Sequence, residues 1–338
     1  MSITQSNRSG SVRVTVVMAP YSSSASISAT LEMLESANFL NVVKQQKAGA
    51  PNPKMLFDIE TVSMDGKPVQ CSGGLSLTPQ RTMDSVTETD LIIIPGFLFN
   101  ILLALPLLMP VSKWLANLYD KGATIATICT GAFVAAQAGI LDDKQATTHW
   151  YYAKEFKRRF PAVTLMDQLT VTDDDGLICS GGASAATDML MYLVRKFGSV
   201  DIAAECSKKL LVDSCQRSQL PYMQYSFKRN HEDREIAAVQ NWLDKHFEQE
   251  IVFDQLAKQF NFGQRNFIRR FKLATGETPN QYLQNLRIER AKYFLETTNT
   301  SLERVTYQVG YEDSNSFRRL FKNRVGLSPA DYRKKFQV

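Results

Sequence analysis

"RNFIRRFKLATGETP" occupies Arg265 to Pro279, and "NSFRRLFKNRVGLSP" occupies Asn315 to Pro329. Placed one over the other, Phe267 meets Phe317, Arg269 meets Arg319, Phe271 meets Phe321 and Lys272 meets Lys322, at a constant offset of 50 residues. A single Phe-x-x-x-Phe helix with arginines describes an ordinary amphipathic surface helix. Two copies at one offset, each followed by Gly-x-(Ser/Thr)-Pro and then an aromatic (Tyr282, Tyr332), describe a duplicated unit.

The flanks extend the pattern. Phe253, Leu256, Ala257 and Phe260 recur at helical spacing, "NFG" supplies a turn, and Phe267 and Phe271 form the next stripe. Leu283, Leu286, Ala291, Phe294 and Leu295 suit a longer linking helix, roughly Pro279 to Glu296. Leu302, Val305 and Val309 begin the second copy. Gly310 is placed to end that helix, and Asp313 or Ser314 to cap the next. Each unit therefore reads helix, tight turn, helix, which is the layout of a helix-turn-helix.

With 3.6 residues per turn, the two phenylalanines share the buried face of each second helix. The outward set is then Gln264, Arg265, Ile268, Arg269 and Lys272 in the first unit. In the second it is Ser314, Asn315, Arg318, Arg319 and Lys322. Arginine can pair bidentately with guanine and asparagine with adenine, whereas Lys272, Lys322 and Arg324 suit phosphates. One position breaks the match: Arg270 stands where the second copy has Leu320, so it either snorkels or marks a looser first unit.

Charge follows the same division. Residues 251–338 hold 16 Lys and Arg against 8 Asp and Glu, while residues 1–250 hold 23 against 26. A basic last quarter on a mildly acidic remainder fits a polyanion-binding module joined to something with another task. The chain of 338 residues exceeds one ordinary core. The apolar run Leu91 to Pro110 is interrupted by Pro95, Gly96, Asn100 and Pro106, so no uninterrupted membrane span is expected there. The polar start "MSITQSNRSGS" has no apolar signal core, and a cytoplasmic protein is the expectation. Five cysteines without a C-x-x-C pair, and three histidines, read as reduced thiols with no metal site and no cofactor.

The C-terminal residues resemble the DNA-binding domain of AraC/XylS-type transcription regulators. The match is carried by "FIRRFKLATGETPNQYLQNLRIERAKYFL" and "YEDSNSFRRLFKNRVGLSPADYRKKF". In that family two helix-turn-helix units joined by a long helix read successive major-groove segments of a double-stranded DNA operator. The resemblance implies a regulator, expected to be an activator, that works with RNA polymerase as a homodimer and takes no membrane partner.

Ahead of this lie alternating strands and helices. "SVRVTVVMAP", "FDIETVSM", "DLIIIPG" and "ATIATIC" read as strands, and "ATLEMLESANFL", "VSKWLANLYDKG" and the residues after Gly131 as helices. The expectation is an α/β doubly wound parallel sheet, flavodoxin-like, followed by an all-α double helix-turn-helix. The expected limits are a disordered tail at 1–10, a sensor and dimerisation domain at 11–225, a linker at 226–235 with "FKRNHEDRE" (Phe227 to Glu235) as its charged hinge, and a DNA-binding domain at 236–338.

In "ICTGAF", Cys129 falls at a strand-to-helix junction. Such a turn exposes a thiol, brings backbone N–H groups to it and lowers its pKa, so Cys129 is either a nucleophile or a small residue filling a tight turn. Residues 12–200 resemble the PfpI-type branch of the class I glutamine amidotransferase-like superfamily. The match rests on "IIIPGF", "ATICTGAFVAAQAGILDDKQATTHW" and "SGGASAATDMLMYLV", in the version found in GlxA-like regulators. Enzymes of that group pair the elbow cysteine with a histidine and an acid. Here Thr130 replaces the protease-type His, Ser26 stands where several members have Asp, and His149 is a candidate only if the fold returns it to the elbow. The resemblance implies a non-catalytic sensor for a small, nitrogen-containing effector. Its lining is drawn from Ser23, Ser24, Ser26, Pro95, Gly96, Phe97, Cys129 and Thr130. The serines at 22–24 read equally as a polar loop that touches nothing. The competing reading is a cysteine-dependent hydrolase or hydro-lyase with a DNA-binding tail.

Overall fold

The structure, a computed structural model, describes residues 10–97, 100–212 and 218–337. The expected tail at 1–10 lies outside them but for Gly10. The chain divides into two compact units, 1–219 and 220–338.

Strands of the first unit are β1 Val12–Val17, β2 Phe57–Ser63, β3 Val69–Gln70, β4 Ser76–Leu77, β5 Arg81–Thr82, β6 Leu91–Ile94, β7 Thr124–Ile128, β8 Gln145–Ala146, β9 Thr164–Leu165, β10 Val171–Asp174 and β11 Leu177–Ser180. Its helices are α1 Ser24–Lys47, α2 Ile101–Ala104, α3 Met109–Asp120, α4 Ala132–Gln137, α5 Ala153–Arg159, α6 Ala183–Phe197 and α7 Val200–Lys209. Seven strands form one sheet in the order β10-β11-β7-β6-β1-β2-β5. All neighbours are parallel except β10 against β11. The expected doubly wound architecture is present, with an antiparallel edge.

Its strands are apolar on both sides because both sides are covered. In β6, Ile92 and Ile94 enter one core with Ile101, Leu115 and Phe133, while Leu91 and Ile93 enter the other with Leu34, Met189 and Leu193. A strand that alternates faces every residue therefore reads as an unbroken "LIII". The apolar run Leu91–Pro110 is not one span: it begins as strand β6, and α2 starts only at Ile101. Ile101–Asp120 forms a helical stretch long and apolar enough to cross a membrane by length and composition. Pro106 and Pro110 sit in the first turns of successive helical segments, where no N–H is missed. Ile101, Leu105, Leu108, Leu115 and Leu118 spend that apolarity in the core.

The second unit contains α8 Arg234–His246, α9 Phe253–Gln259, α10 Gln264–Thr275, α11 Pro279–Thr297, α12 Leu302–Gln308, α13 Ser314–Val325 and α14 Pro329–Phe336. It has two cores. Phe267, Phe271 and Tyr282 close the first with Ile236, Val239 and Leu243; Phe317, Phe321 and Tyr332 close the second with Val305 and Val309. Helix α11 serves both, giving Leu283 and Leu286 to one and Ala291 and Leu295 to the other.

The expected domain limits need correction. The units part after Gln219, not 225, and the charged stretch 227–235 is tied to the second unit. Phe227 packs on Tyr282 at 4.8 Å, Gln240 donates to the Lys228 carbonyl at 3.1 Å, and Arg229 pairs with Asp244. Composition reported exposed charge at these side chains correctly; it could not report that the backbone is anchored.

Candidate nucleic-acid interface and cysteine elbow

The duplication is geometric as well as textual. The Phe267–Phe271 rings lie 5.8 Å apart and Phe317–Phe321 5.7 Å; Phe271–Tyr282 is an edge contact at 5.3 Å and 83°, and Phe321–Tyr332 one at 5.5 Å and 80°. Helix α10 ends on Gly276 at φ 88° and α13 on Gly326 at φ 79°, left-handed positions that suit glycine. Thr278 and Ser328 then cap the helices that follow, each ahead of a proline in the first turn. Asn261 makes the first turn at φ 59°, and Gly310 the second at φ 80°.

This scaffold leaves one face of each second helix in solvent. Gln264, Arg265, Ile268, Arg269 and Lys272 are exposed on α10, and Asn315, Arg318, Arg319 and Lys322 on α13; Ser314 is half-buried. Asp313, not Ser314, caps α13, accepting from the N–H groups of Asn315 and Ser316 at 3.1 and 3.0 Å. Arg269 donates to Asn266 at 2.9 Å and Arg319 to Ser316 at 3.4 Å, one turn back in each case. Arg318 meets Glu303 at 3.4 Å.

Arg270 has a role that periodicity did not disclose. It pairs with Asp233 at 2.8 Å and Glu235 at 2.6 Å, and lies over the Phe262 ring at 4.9 Å. The first unit is not loosely packed at this position. Its guanidinium ties α10 to the start of α8.

In the first unit, Cys129 adopts φ 56° between β7 and α4. A non-glycine residue in the left-handed region is strained, as at an elbow that presents a side chain. Gly131 permits the turn, since a Cβ there would stand 2.7 Å from the Pro95 carbonyl and 2.9 Å from that of Ile94. Yet the thiol is 7% exposed, and burial pushes it up to about 11. The expectation of an exposed, acidified thiol is overturned: desolvation outweighs the hydrogen bonds to Thr130 that act the other way. Cys71, Cys179 and Cys206 are also buried free thiols. Cys215 lies outside the described residues.

The residues expected around the elbow do come together. Ser23 N–H donates to the Gly96 carbonyl at 2.6 Å, Gly96 N–H to the Ser26 hydroxyl at 3.3 Å, and Phe97 N–H to the Thr130 hydroxyl at 2.9 Å. Ser23 caps α1, and Ser24 donates to the Ser72 carbonyl at 3.1 Å. The serine run is therefore no idle loop. Pro95 and Gly96 are buried beside them. The fold returns "TTHW" to the elbow through Thr148, whose hydroxyl donates to the Cys129 carbonyl at 2.9 Å. His149 accepts from Tyr151 N–H at 3.2 Å, and burial lowers its pKa, so the ring is neutral at neutral pH.

Sequence reasoning missed Gln219. It is 4% exposed, donates from Nε2 to the carbonyls of Thr148, Asp167 and Leu169 and to the Thr147 hydroxyl, and accepts from Trp150 N–H. Nothing in the composition of "SCQRSQLPYM" marks a buried amide.

A doubly wound α/β unit with a strained cysteine elbow, joined in one chain to a duplicated helix-turn-helix, defines a two-part class of protein. The chain belongs to the DJ-1/PfpI family, whose family model matches residues 12–196, and a helix-turn-helix domain model matches residues 256–335. It is similar to the HTH-type transcriptional regulator CdhR of Pseudomonas aeruginosa, 25% identical over 279 residues covering 82% of each chain. It is also similar to the HTH-type transcriptional regulator GbdR of the same species, 25% identical over 282 residues, 82% of this chain and 75% of that one. Among solved structures, a protein assigned to transcriptional regulation from Vibrio parahaemolyticus superposes with TM-score 0.51 at 26% identity, covering 59% of this chain and 99% of that one.

Proposed function

We propose that this chain is a sequence-specific, DNA-binding transcription regulator that senses a small metabolite without turning it over. One observation carries the reading: α10 and α13 repeat the same burial pattern and ring geometry, and both leave arginines in solvent at the same helical positions. Two such heads on α11 suit two successive major-groove segments. Gln264, Arg265, Ile268, Arg269 and Lys272, with Ser314, Asn315, Arg318, Arg319 and Lys322, are the proposed contacts. The names of CdhR and GbdR support regulation. Similarity to the HTH-type transcriptional activator RhaS of Escherichia coli, 38% identical over 92 residues, 27% of this chain and 33% of that one, supports activation; RNA polymerase is the proposed partner. A homodimer in the cytoplasm completes the proposal.

The sensor reading draws on the elbow. A thiol with a pKa of about 11 is overwhelmingly protonated at neutral pH, and Ser26 cannot serve as the acid of a triad. Ser23, Ser24, Ser26, Pro95, Gly96, Phe97, Cys129 and Thr130 are the proposed surroundings of the effector. Selection of binding sites from a random duplex pool by the full-length chain tests the DNA reading. Recovery of sites with two conserved blocks one helical turn apart is expected; equal affinity for every sequence overturns it. A thermal-shift screen of the same chain with amino acids, betaines and polyamines tests the sensor.

A further inference from the structure

One side chain of the second unit touches both reading heads. Arg287, on α11, donates from Nε to the Phe247 carbonyl and from Nη2 to the Gln249 carbonyl, each at 2.8 Å. These carbonyls stand at and just past the C-terminal end of α8, where helix carbonyls lack intrahelical donors and partial negative charge collects. Helix α8 belongs to the first core. The same guanidinium lies over the Tyr311 ring, 5.1 Å from its centroid, and Tyr311 packs against the second core. Gly310 shows how close that approach is. It makes the turn of the second head at φ 80°, whereas the first head makes its turn with Asn261 at φ 59°, so the backbone conformation alone does not demand glycine. A Cβ on Gly310 would stand 2.7 Å from Arg287 Nη2, 2.8 Å from its Cζ and 2.8 Å from the Glu248 carbonyl. The turn is pressed against the guanidinium and the end of α8 together.

Helix α11 does not supply this fixity by itself. It gives Leu283 and Leu286 to one core and Ile288, Ala291 and Leu295 to the other, which sets each head along the rod. Apolar helix packing of this kind leaves a scatter of about 15–20° in crossing angle. One base pair turns two DNA blocks by about 35° and parts them by about 3.4 Å. The slack in packing is therefore a large share of one base-pair step. Phe247 narrows it by packing against both cores, and the stretch 222–227 reaches both, with Tyr222 on Phe336 and Phe227 on Tyr282. Arg287 adds what ring contacts lack, two directional bonds from a planar fork that fits in one orientation.

We propose that Arg287 is a positioning residue: it sets the rotation of the second reading helix relative to the first, and with it the spacing of the two DNA blocks that the protein accepts. The proposal rests on the DNA reading above and adds to it a residue outside the proposed contacts.

The test uses the full-length chain and the two-block duplex recovered by site selection, with one or two base pairs inserted or deleted between the blocks. Two further duplexes keep one block and scramble the other. Fluorescence anisotropy gives the affinities. The unaltered chain is expected to prefer one spacing by on the order of tenfold over its neighbours. Arg287→Met keeps an apolar stem and removes both bonds; it should bring that preference within about threefold, yet bind each single-block duplex as the unaltered chain does. Arg287→Lys keeps the charge and one bond and is expected to fall between. A preference that Arg287→Met retains in full overturns the proposal. Equal weakening on the single-block duplexes also overturns it, because Arg287 would then serve the stability of one head. If Arg287→Met does not melt cooperatively, Arg287→Lys is read by the same ratio, and full retention there overturns the proposal. An unaltered chain that binds every sequence alike removes the DNA reading and this proposal with it, whereas a spacing preference kept by the variants removes this proposal alone.

Discussion

Arg270 clasps Asp233 with two hydrogen bonds, Nε to Oδ2 at 3.0 Å and Nη2 to Oδ1 at 2.8 Å, while the same carboxylate caps α8 by accepting from Ile236 N–H at 3.1 Å. One side chain therefore both starts a helix and fastens it to the reading helix of the first head. The second head has Leu320 at the corresponding position, packed against its own core.

Asp233→Ala is expected to cost about 1 kcal/mol from the lost cap alone. Asp233→Asn keeps a capping oxygen and loses the charge, so it should cost less. The Arg270 hydrogen bonds hold Asp233 below its usual value of 3.8, a depressed carboxylate. Its contribution is complete above that value and fades as pH falls through the lower, folded one. In urea melts the gap between each variant and the unaltered chain should therefore narrow as pH falls from neutral towards 3; a constant gap would refute the linkage.

Phe267→Ala and Phe317→Ala each remove a fully buried ring and should each cost about 3–5 kcal/mol. Because the rings belong to different cores, each should weaken one head. Footprinting should then lose one protected block per half-site and keep the other. Simultaneous loss of both blocks in either variant would mean that the heads melt as one.

Arg269→Ala and Arg319→Ala should each weaken binding to selected DNA by about 1–3 kcal/mol and relax preference at one base pair. Lys272→Ala and Lys322→Ala should weaken all duplexes alike and lower the salt slope by about one. Fluorescence anisotropy against selected and scrambled duplexes across a salt series separates the two classes.

Cys129 should resist iodoacetamide at pH 7.5 in the folded chain, since a pKa of about 11 leaves on the order of one thiol in three thousand ionised. Labelling read by mass spectrometry should be fast only in denaturant. Gly131→Ala drives a methyl into the Pro95 and Ile94 carbonyls and should lower the melting temperature of the first unit, whereas Cys129→Ala should leave DNA binding unchanged. Rapid labelling of native Cys129 would restore the nucleophile reading.

Much of this was legible beforehand for a physical reason. Phe267 and Phe271 announce their burial because a helix repeats every 3.6 residues, and "LIII" announces a doubly covered strand because a sheet alternates every two. Gly96 lies against Cys129, and Ser26 reaches that turn through its hydrogen bond to Gly96. Arg270, Gln219 and the 227–235 stretch were not readable, because each is decided by a partner distant in the chain: Asp233, the carbonyls around Thr148, and Tyr282.

Local periodicity and the duplication at 50 residues were sufficient to determine two helix-turn-helix heads on a linking helix behind a parallel α/β unit. Only the tertiary structure decided that the elbow thiol is protonated, that Asp233 anchors the first head, and that the Gln219 amide is buried among carbonyls. Sequence spacing sets which way a side chain faces. The dielectric, charge and hydrogen-bonding groups it meets there come from chain segments that spacing does not connect.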